Sequence, residues 1–474
     1  MVAFQTGNCD AAAELISRAI LRNGQDATYF TNLGNVLQTQ GKLDQAVDCY
    51  QRAIELNPAR AAAHGNLGLA WQFLGRLEDA ARSFEEALKL DPGIAVAHTN
   101  LGNVRQAQGR LEEAVACHER ALAVEPANPE VYSNLGGVLD LQGRQAESMA
   151  AYDRALELKP GFAVAIFNRS LLRLRRGDFV PGLPDYEHRW HLNKRRDFSE
   201  PQWYGEPLRG ARILLYPEQG LGDTVQFLRY VPMVQAAGGQ VILEVQPQMH
   251  RLASQMPGLE ALICSGESLP SFDWHCPLMS LPLAFGTTLD TIPGRVPYLT
   301  IPHEADTARL PDRGGELGVG IAWAGSPGHL RDRFRSIPLQ LLKPLLDVEE
   351  VQFYSLQMGP AAEELSKADM FLEVIDLAPK IEDMADTAAL IANLDLVIAV
   401  DTAVAHLAGA LGKPVWVMLP LVPDWRWLLD REDSPWYPTM RLFRQSTLGD
   451  WASVVEAVRS ALQHTIANSL SRRS

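Results

Sequence analysis

Residues 393–419, NLDLVIAVDTAVAHLAGALGKPVWVML, decide how the C-terminal part of this chain folds. Leu396–Val400 is a short apolar run rich in Val and Ile, as expected of a strand buried on both faces. Asp401-Thr402 reads as a turn, and Ala403–Leu411 as a helix that Gly412 and Pro414 bring to an end. Val415–Met418 is the next apolar run. Strand, helix, strand over this length is a crossover unit, so the two strands run parallel. The turn then sits at the C-terminal end of a strand and offers free backbone N–H groups and a hydroxyl at a helix N-terminus. That is a ready site for a diphosphate. Plain capping of the helix by Asp401 and Thr402 is the other use of the same residues.

The same alternation extends outward from this unit. Residues 318–323, GVGIAW, open a second half, with strands expected at Val351–Leu356 and Val374–Asp376. Upstream, a first half has expected strands at Ile213–Tyr216, Val241–Val245, Leu262–Cys264 and around Trp274. Between the halves, Pro293, Pro297, Pro302 and Pro311 break any regular element, and the stretch Ile292–Pro311 reads as a linker. Two parallel sheets covered by helices leave a cleft at the C-terminal ends of their strands.

Residues 217–232, PEQGLGDTVQFLRYVP, face that cleft from the first half. They follow a strand, pass through a glycine turn and enter a helical pattern of Val225, Leu228 and Val231. The turn resembles a phosphate loop, yet it lacks the third glycine of a dinucleotide fingerprint, and it carries an acid, Asp223, where a phosphate prefers none. Asp223 also suits an N-cap for the helix at Thr224. Residues 325–338, GSPGHLRDRFRSIP, supply the opposite charge: Arg331, Arg333 and Arg335 flank Ser326, His329 and Ser336 in a loop after a strand. Guanidinium forks suit phosphate recognition and stabilise a departing diphosphate. No D-x-D motif stands in a suitable loop, so these cations are expected to take the place of a metal, and no metal site is expected anywhere. His64 with His98, and His188 with His191, lack a third ligand.

The first third of the chain repeats itself. Asn-Leu-Gly begins at Asn32, Asn66, Asn100 and Asn134, each 34 residues after the last. Gly41, Gly75, Gly109 and Gly143 keep the step, as do Pro58, Pro92, Pro126 and Pro160. A small residue (Ala46, Ala80, Ala114, Ser148) and an aromatic or histidine (Tyr50, Phe84, His118, Tyr152) recur in every unit, followed by Ala53, Ala87, Ala121 and Ala155. This period and these positions resemble the tetratricopeptide repeat, a helix-turn-helix unit that stacks into a solenoid. Ala12, Ile16 and Ala19 match the second helix of a preceding repeat. A fifth unit keeps Asn168, Gly177 and Tyr186 but reads Arg169-Ser170 for Leu-Gly, and closes the solenoid with a helix expected to dock on the next domain. Asn32, Asn66, Asn100, Asn134 and Asn168 are expected to line the groove. There their carboxamides either bind a peptide backbone or bond the neighbouring helix.

Composition narrows the functional classes. The 474 residues suffice for two or three domains, and 47% hydrophobic with 21% charged residues describes a globular chain. A net charge of −14 argues against a nucleic-acid partner. Five scattered cysteines (Cys9, Cys49, Cys117, Cys264, Cys276) form no C-x-x-C pair, which fits a reducing cytoplasm better than a disulfide framework or zinc site. No signal peptide follows Met1 and no apolar run is long enough for a bilayer, so a soluble protein without membrane insertion is expected.

The two α/β segments carry a resemblance. QGLGDTVQFLRYVP (219–232) and DLVIAVDTAVAHLAGALGKPV (395–415) are similar to the two signature segments of the heptosyltransferase-like glycosyltransferases of family nine. Their pairing with tetratricopeptide repeats also resembles the O-GlcNAc transferases of family 41 and the bacterial flagellin-modifying transferases. The resemblance implies an α solenoid (1–195) followed by an α/β GT-B fold with two Rossmann-like halves: 196–310 on the acceptor side, 311–474 on the nucleotide-sugar side. It further implies an inverting enzyme in which Asp223 is the general base, with His406 a second catalytic candidate in the same cleft. An inverting transfer needs such a base to deprotonate the acceptor hydroxyl. Asp401, Thr402 and the Ala403 amide would meet the donor diphosphate, although the family often has glycine at the Ala403 position. Ser326 and the three arginines join them, and Gln357 in SLQ (355–357) resembles the stretch that meets the nucleobase. Gly220 and Gly222 leave room for substrate beside Asp223. The resemblance implies no covalently bound cofactor but a nucleotide-diphosphate sugar as donor, whether UDP-, ADP-, GDP- or CMP-linked. It leaves three readings for acceptor and role: Ser or Thr of a protein held by the solenoid, a glycan or lipid-linked sugar with the repeats recruiting partners, or a scaffold without activity. The aromatic loop 423–438, PDWRWLLDREDSPWYP, either covers the donor sugar or is packing.

Overall fold

The computed structural model describes residues 8–305, 310–311, 313–328, 331–367 and 373–473. The chain divides into two compact units, one ending at Asn168 and the other running from Arg169 to the C-terminus. The expected solenoid ran to residue 195, so its closing segment falls in the second unit.

The first unit is built of helical hairpins. Its helices are α1 (Cys9–Arg22), α2 (Ala27–Thr39), α3 (Leu43–Leu56), α4 (Ala61–Phe73), α5 (Leu77–Leu90), α6 (Ala95–Ala107), α7 (Leu111–Val124), α8 (Pro129–Leu141) and α9 (Gln145–Leu158), with α10 (Ala163–Arg175) beginning within it. The 34-residue period has a steric cause. A Cβ on Gly34, Gly68, Gly102 or Gly136 would lie 2.5–2.8 Å from the ring of Tyr50, Phe84, His118 or Tyr152 respectively, so glycine lets the second helix of each repeat close on the first. Gly41, Gly75, Gly109 and Gly143 have φ of 73–79°, the left-handed conformation that turns one helix into the next. His64 and His98 each bond the carbonyl of their own repeat's proline, Pro58 or Pro92, at 3.0 Å.

The second unit contains α11 (Phe179–Tyr186), β1 (Arg212–Tyr216), α12 (Leu221–Phe227), β2 (Gln240–Val245), α13 (Pro247–Ala253), β3 (Ala261–Cys264) and β4 (Trp274–Pro277). It continues with β5 (Leu317–Ala322), α14 (Asp332–Arg335), β6 (Val351–Ser355), β7 (Ile375–Asp376), α15 (Met384–Ala392), β8 (Leu396–Val400), α16 (Ala403–Ala410), β9 (Val415–Leu419), β10 (Met440–Arg444) and α17 (Trp451–Arg473). Two sheets form, a four-stranded one in the order β3-β2-β1-β4 and a six-stranded one in the order β10-β9-β8-β5-β6-β7, with every pairing parallel. This is the GT-B arrangement of two Rossmann-like halves. Each expected strand is present, and β10 is an addition. All five residues of β8 are buried, as expected of a central parallel strand. The halves meet where β1 and β8 end: α12 and α16 pack together, and Arg251 on α13 bonds Asp383 and Asp386 at the start of α15.

The closing segment of the repeats belongs to this unit. Phe179 on α11 lies 5.9 Å from the ring of Trp425 and 6.4 Å from that of Trp436. Arg189 is 1% exposed and reaches the first half, with two bonds of 2.8 Å to Glu218 and one of 2.7 Å to Ser280. Burial raises the Glu218 carboxyl above the usual range even though Arg189 draws it down.

Candidate functional site

The site forms where α12 and α16 begin. Asp223 is not the N-cap of its helix: α12 starts at Leu221 with Gly220 as cap, and Asp223, in the third helical position, reaches back to accept the Gly220 N–H at 2.9 Å. That satisfies an amide which the helix leaves open. Its other oxygen pairs with Arg426, which arrives from the second half after β9. Gly222 has no side chain for a reason specific to this place. A Cβ there would lie 3.0 Å from His406 Cδ2 and 3.4 Å from Ala403 Cα. Glycine thus allows the turn of the first half to lie against the helix start of the second.

On the facing side, Thr402 caps α16 with extended backbone (φ −142°, ψ 169°) but makes no side-chain capping bond. Its hydroxyl oxygen is buried and has no hydrogen-bond partner among the described residues. The amides of Ala405 and His406 are the first to find an acceptor, the Thr402 carbonyl, at 3.1 and 3.4 Å. Those of Ala403 and Val404 precede them at the positive end of the helix. An orphaned hydroxyl beside open helix-start amides suits an anion better than it suits capping.

Asp401 and His406 are nearly buried together. His406 Nε2 lies 3.7 Å from Asp401 Oδ1, and its Nδ1 is 3.0 Å from the Tyr437 hydroxyl. The ring stacks on Trp427 at 5.0 Å. Burial works to raise the Asp401 carboxyl, but His406, Arg335 and the Trp427 indole outweigh it and hold the group below the usual carboxylate range. Arg335 donates to the Asp401 carbonyl at 3.0 Å and to Asp332 Oδ1 at 3.2 Å. Ser336 joins Asp332 to the Gly325 amide in the same loop.

The expected donor contacts therefore separate. Arg335 bonds the Asp401 turn itself, whereas Arg331 is half-buried, and Arg333 is exposed with its guanidinium 4.5 Å over the Phe334 ring. Ser326 is exposed on the same loop, and His329 lies outside the described residues. The Gln357 side chain is engaged by the backbone. Its Oε1 accepts from Trp323 and Ala324, and its Nε2 donates to the carbonyls of Ala324 and Met358. All four bonds of the carboxamide are thereby used in pinning the ends of β5 and β6. In the solenoid, Asn32, Asn66, Asn100, Asn134 and Asn168 are all half-buried. Asn66 bonds back to Asn35 of the previous repeat at 2.8 Å, the neighbouring-helix alternative, and Asn35 also accepts from the Tyr50 hydroxyl.

Arg426 had no sequence signal as a site residue. It is 5% exposed, donates to Asp424 Oδ1 at 2.6 Å and lies 4.9 Å from the Trp425 ring. Burial opposes its charge, yet Asp424 and Asp223 outweigh burial and raise its pKa. Trp425 and Trp427 are 2% and 1% exposed, so both indoles are packed. Among the described residues no group of three or more His, Cys, Asp or Glu side chains could hold a metal ion, and no helix is long and apolar enough to cross a membrane.

Comparison with known proteins agrees with this architecture. The tetratricopeptide repeat family matches residues 31–95 and 93–160, and glycosyltransferase family 9 (heptosyltransferase) matches 352–417, the segment that contains Asp401, Thr402 and His406. The chain thus joins tetratricopeptide repeats to a glycosyltransferase family 9 domain. It is similar to protein FlbA of Caulobacter vibrioides, with 30% identity over 339 residues, 65% of this chain and 56% of that protein. The chain therefore spans little more than half the length of that relative. Among solved structures, YrrB, described as a TPR protein with an unusual peptide-binding site, is 24% identical over 38% of this chain and 94% of its own, with a TM-score of 0.33. A thermophilic TPR protein of Thermus thermophilus, TTC0263, is 26% identical over 36% of this chain and 93% of its own, with a TM-score of 0.31.

Proposed function

We propose that the protein is an inverting, metal-independent glycosyltransferase that moves a sugar from a nucleotide-diphosphate donor to Ser or Thr of a polypeptide held by the repeats, in a bacterial cytoplasm. The observation that carries the donor reading is the orphaned Thr402 hydroxyl at the start of α16, with Asp223 brought close by the Gly222 contact. The donor diphosphate takes the place that this hydroxyl and the Ala403 amide leave open. Asp223 accepts the proton of the acceptor hydroxyl as its oxygen attacks the anomeric carbon, and the bond from that carbon to the diphosphate breaks. The charge that develops on the leaving group falls to Arg335, with Arg331, Arg333 and Ser326 further out on the loop, and to the start of α16. His406 stands between Asp401 and Tyr437 and fixes the turn against that charge. The nucleobase meets the backbone around Gln357, because the Gln357 side chain is already engaged.

The Asn66–Asn35 bond favours a second reading, in which the repeats only recruit partners and the acceptor is a glycan or lipid-linked sugar. Intact-mass analysis of candidate protein acceptors, incubated with UDP-, ADP-, GDP- and CMP-sugars, tests the first reading. Replacing Asn66, Asn100 and Asn134 together by Ala should then weaken protein modification by one to three orders of magnitude, at about 0.5–1.5 kcal/mol per bond. Donor hydrolysis should not change. If both are unchanged, the solenoid does not present the acceptor through this column, and strict dependence on added magnesium would contradict the metal-independent step.

A further inference from the structure

The aromatic loop after β9 is the one prominent motif that the donor and base assignments leave unused. Two of its residues, Leu428 and Asp430, have positive φ without being glycine. Leu428 has φ 55° and ψ −165°, a region that only glycine enters without strain, and its side chain is 3% exposed. Asp430 follows with φ 53°. Arg444 on β10 holds the loop in this shape, donating to the carbonyls of Trp427, Leu428 and Arg431 at 2.7, 3.1 and 2.9 Å. Strain of this kind persists only where its surroundings over-determine it, and it concentrates where a side chain must be aimed.

What this loop aims is visible at its start. Arg426 Nη1 is fixed to Asp424, Nη2 meets Asp223 Oδ1, and the guanidinium rests against the rings of Trp425 and Phe227, at 4.9 and 5.3 Å. Asp223 is anchored on its other oxygen by the Gly220 amide. Held from both sides, the carboxylate cannot rotate about its side-chain bonds. Trp427 of the same loop stacks on His406, so one segment sets both catalytic candidates. Filling a core would require none of this, since a buried ion pair is often replaceable by apolar side chains without loss of stability. We infer that the Asp424–Asp430 loop is a preorganised support and that Arg426 is a positioning residue which fixes the orientation of Asp223 for the transfer step. This rests on the reading of Asp223 as the base.

The test combines rates with stability. Arg426→Met should lower kcat by about 10- to 100-fold and leave the donor KM within about twofold, because Arg426 is not among the proposed donor contacts. Arg426→Lys keeps the charge and should recover part of the loss. The double variant Asp223→Asn/Arg426→Met should be no slower than Asp223→Asn alone. Urea melts of the wild type, the two single variants and the double variant should show coupling between the two positions. Additive rate effects, or an unchanged kcat, would overturn the inference; so would absent coupling in the melts. A wild type that transfers no sugar while the melts remain coupled would instead count against the proposed function alone. Should Arg426→Met fail to fold, Arg444→Lys loosens the loop from a distance. It should reproduce the loss in kcat at constant donor KM, and full retention of kcat would refute the assignment.

Discussion

His118 occupies the repeat position that holds Tyr50, Phe84 and Tyr152 elsewhere, and its replacement by Phe should stabilise the solenoid in a pH-dependent way. The ring is fully buried, and both of its nitrogens lack hydrogen-bond partners among the described residues. Leaving such groups unpaired costs about 1–3 kcal/mol, which His118→Phe should recover at pH 7. Space is not an obstacle: a Cβ on Gly102 would sit 2.7 Å from His118, and one on Gly68 would sit 2.8 Å from Phe84, so the two pockets are alike. Burial lowers the His118 pKa from 6.5 to about 4. The folded state therefore refuses a proton that the unfolded chain accepts. The resulting stability is complete above pH 6.5 and is lost as the pH falls towards 4. At about 1.4 kcal/mol per pH unit, the difference between variant and wild type should widen by a further 3 kcal/mol or so across that window. Urea melts followed by helical circular dichroism at pH 7, 6, 5 and 4 measure the difference directly. A gap that stays constant with pH would show that His118 is charged or solvated when folded, and would refute the reasoning.

Thr402→Val should leave thermal stability nearly unchanged, since no hydrogen bond is lost, but weaken nucleotide-diphosphate binding by about tenfold in calorimetry. Unchanged affinity would remove Thr402 from the donor site. Gly68→Ala should destabilise by about 1–3 kcal/mol because its Cβ meets the Phe84 ring, whereas Gly65→Ala on the same helix meets nothing within 4 Å and should stabilise by about 0.5–1 kcal/mol. Equal effects in chemical denaturation would contradict the packing account. A fragment starting at residue 169 should fold, whereas one starting at 196 loses Arg189 and leaves Glu218 buried without its partner, at a cost of about 3–5 kcal/mol. Matching melting temperatures for the two fragments would show the contact to be dispensable.

Local rules made much of the fold legible. The 34-residue period follows from one glycine meeting one ring in every repeat, and each central strand announces itself by an apolar run between turns. β10 escaped because Met440–Arg444 directly follows the aromatic loop and is interrupted by Arg441 and Arg444, so it shows no continuous apolar run, and only pairing with β9 makes it a strand. The surroundings of Gln357 are illegible for a related reason. Its place at a strand end is visible in the sequence, but whether its carboxamide faces substrate or backbone depends on Trp323 and Ala324, more than thirty residues away. The three arginines of the 325–338 loop look equivalent in sequence, yet the single turn of α14 brings Arg335 to the Asp401 carbonyl and turns Arg333 to solvent.

Asp223 shows why a site is harder to read than a fold. An acid three residues after a glycine is first a helix-start signal, and it does serve that purpose through the Gly220 amide. Nothing within the neighbouring turn distinguishes this acid from a cap on any other helix. The difference comes from Arg426, on the far half of the unit, whose own place depends on Asp424, on the aromatic wall and on three carbonyls held by Arg444. A capping carboxylate needs one oxygen and tolerates motion of the other. Here the second oxygen is held by a buried cation, on a loop whose strained backbone is itself clamped, and that expense has no use in starting a seven-residue helix. Rigidity beyond what the local structure requires is the physical mark that separates a carboxylate kept for chemistry from one kept for capping.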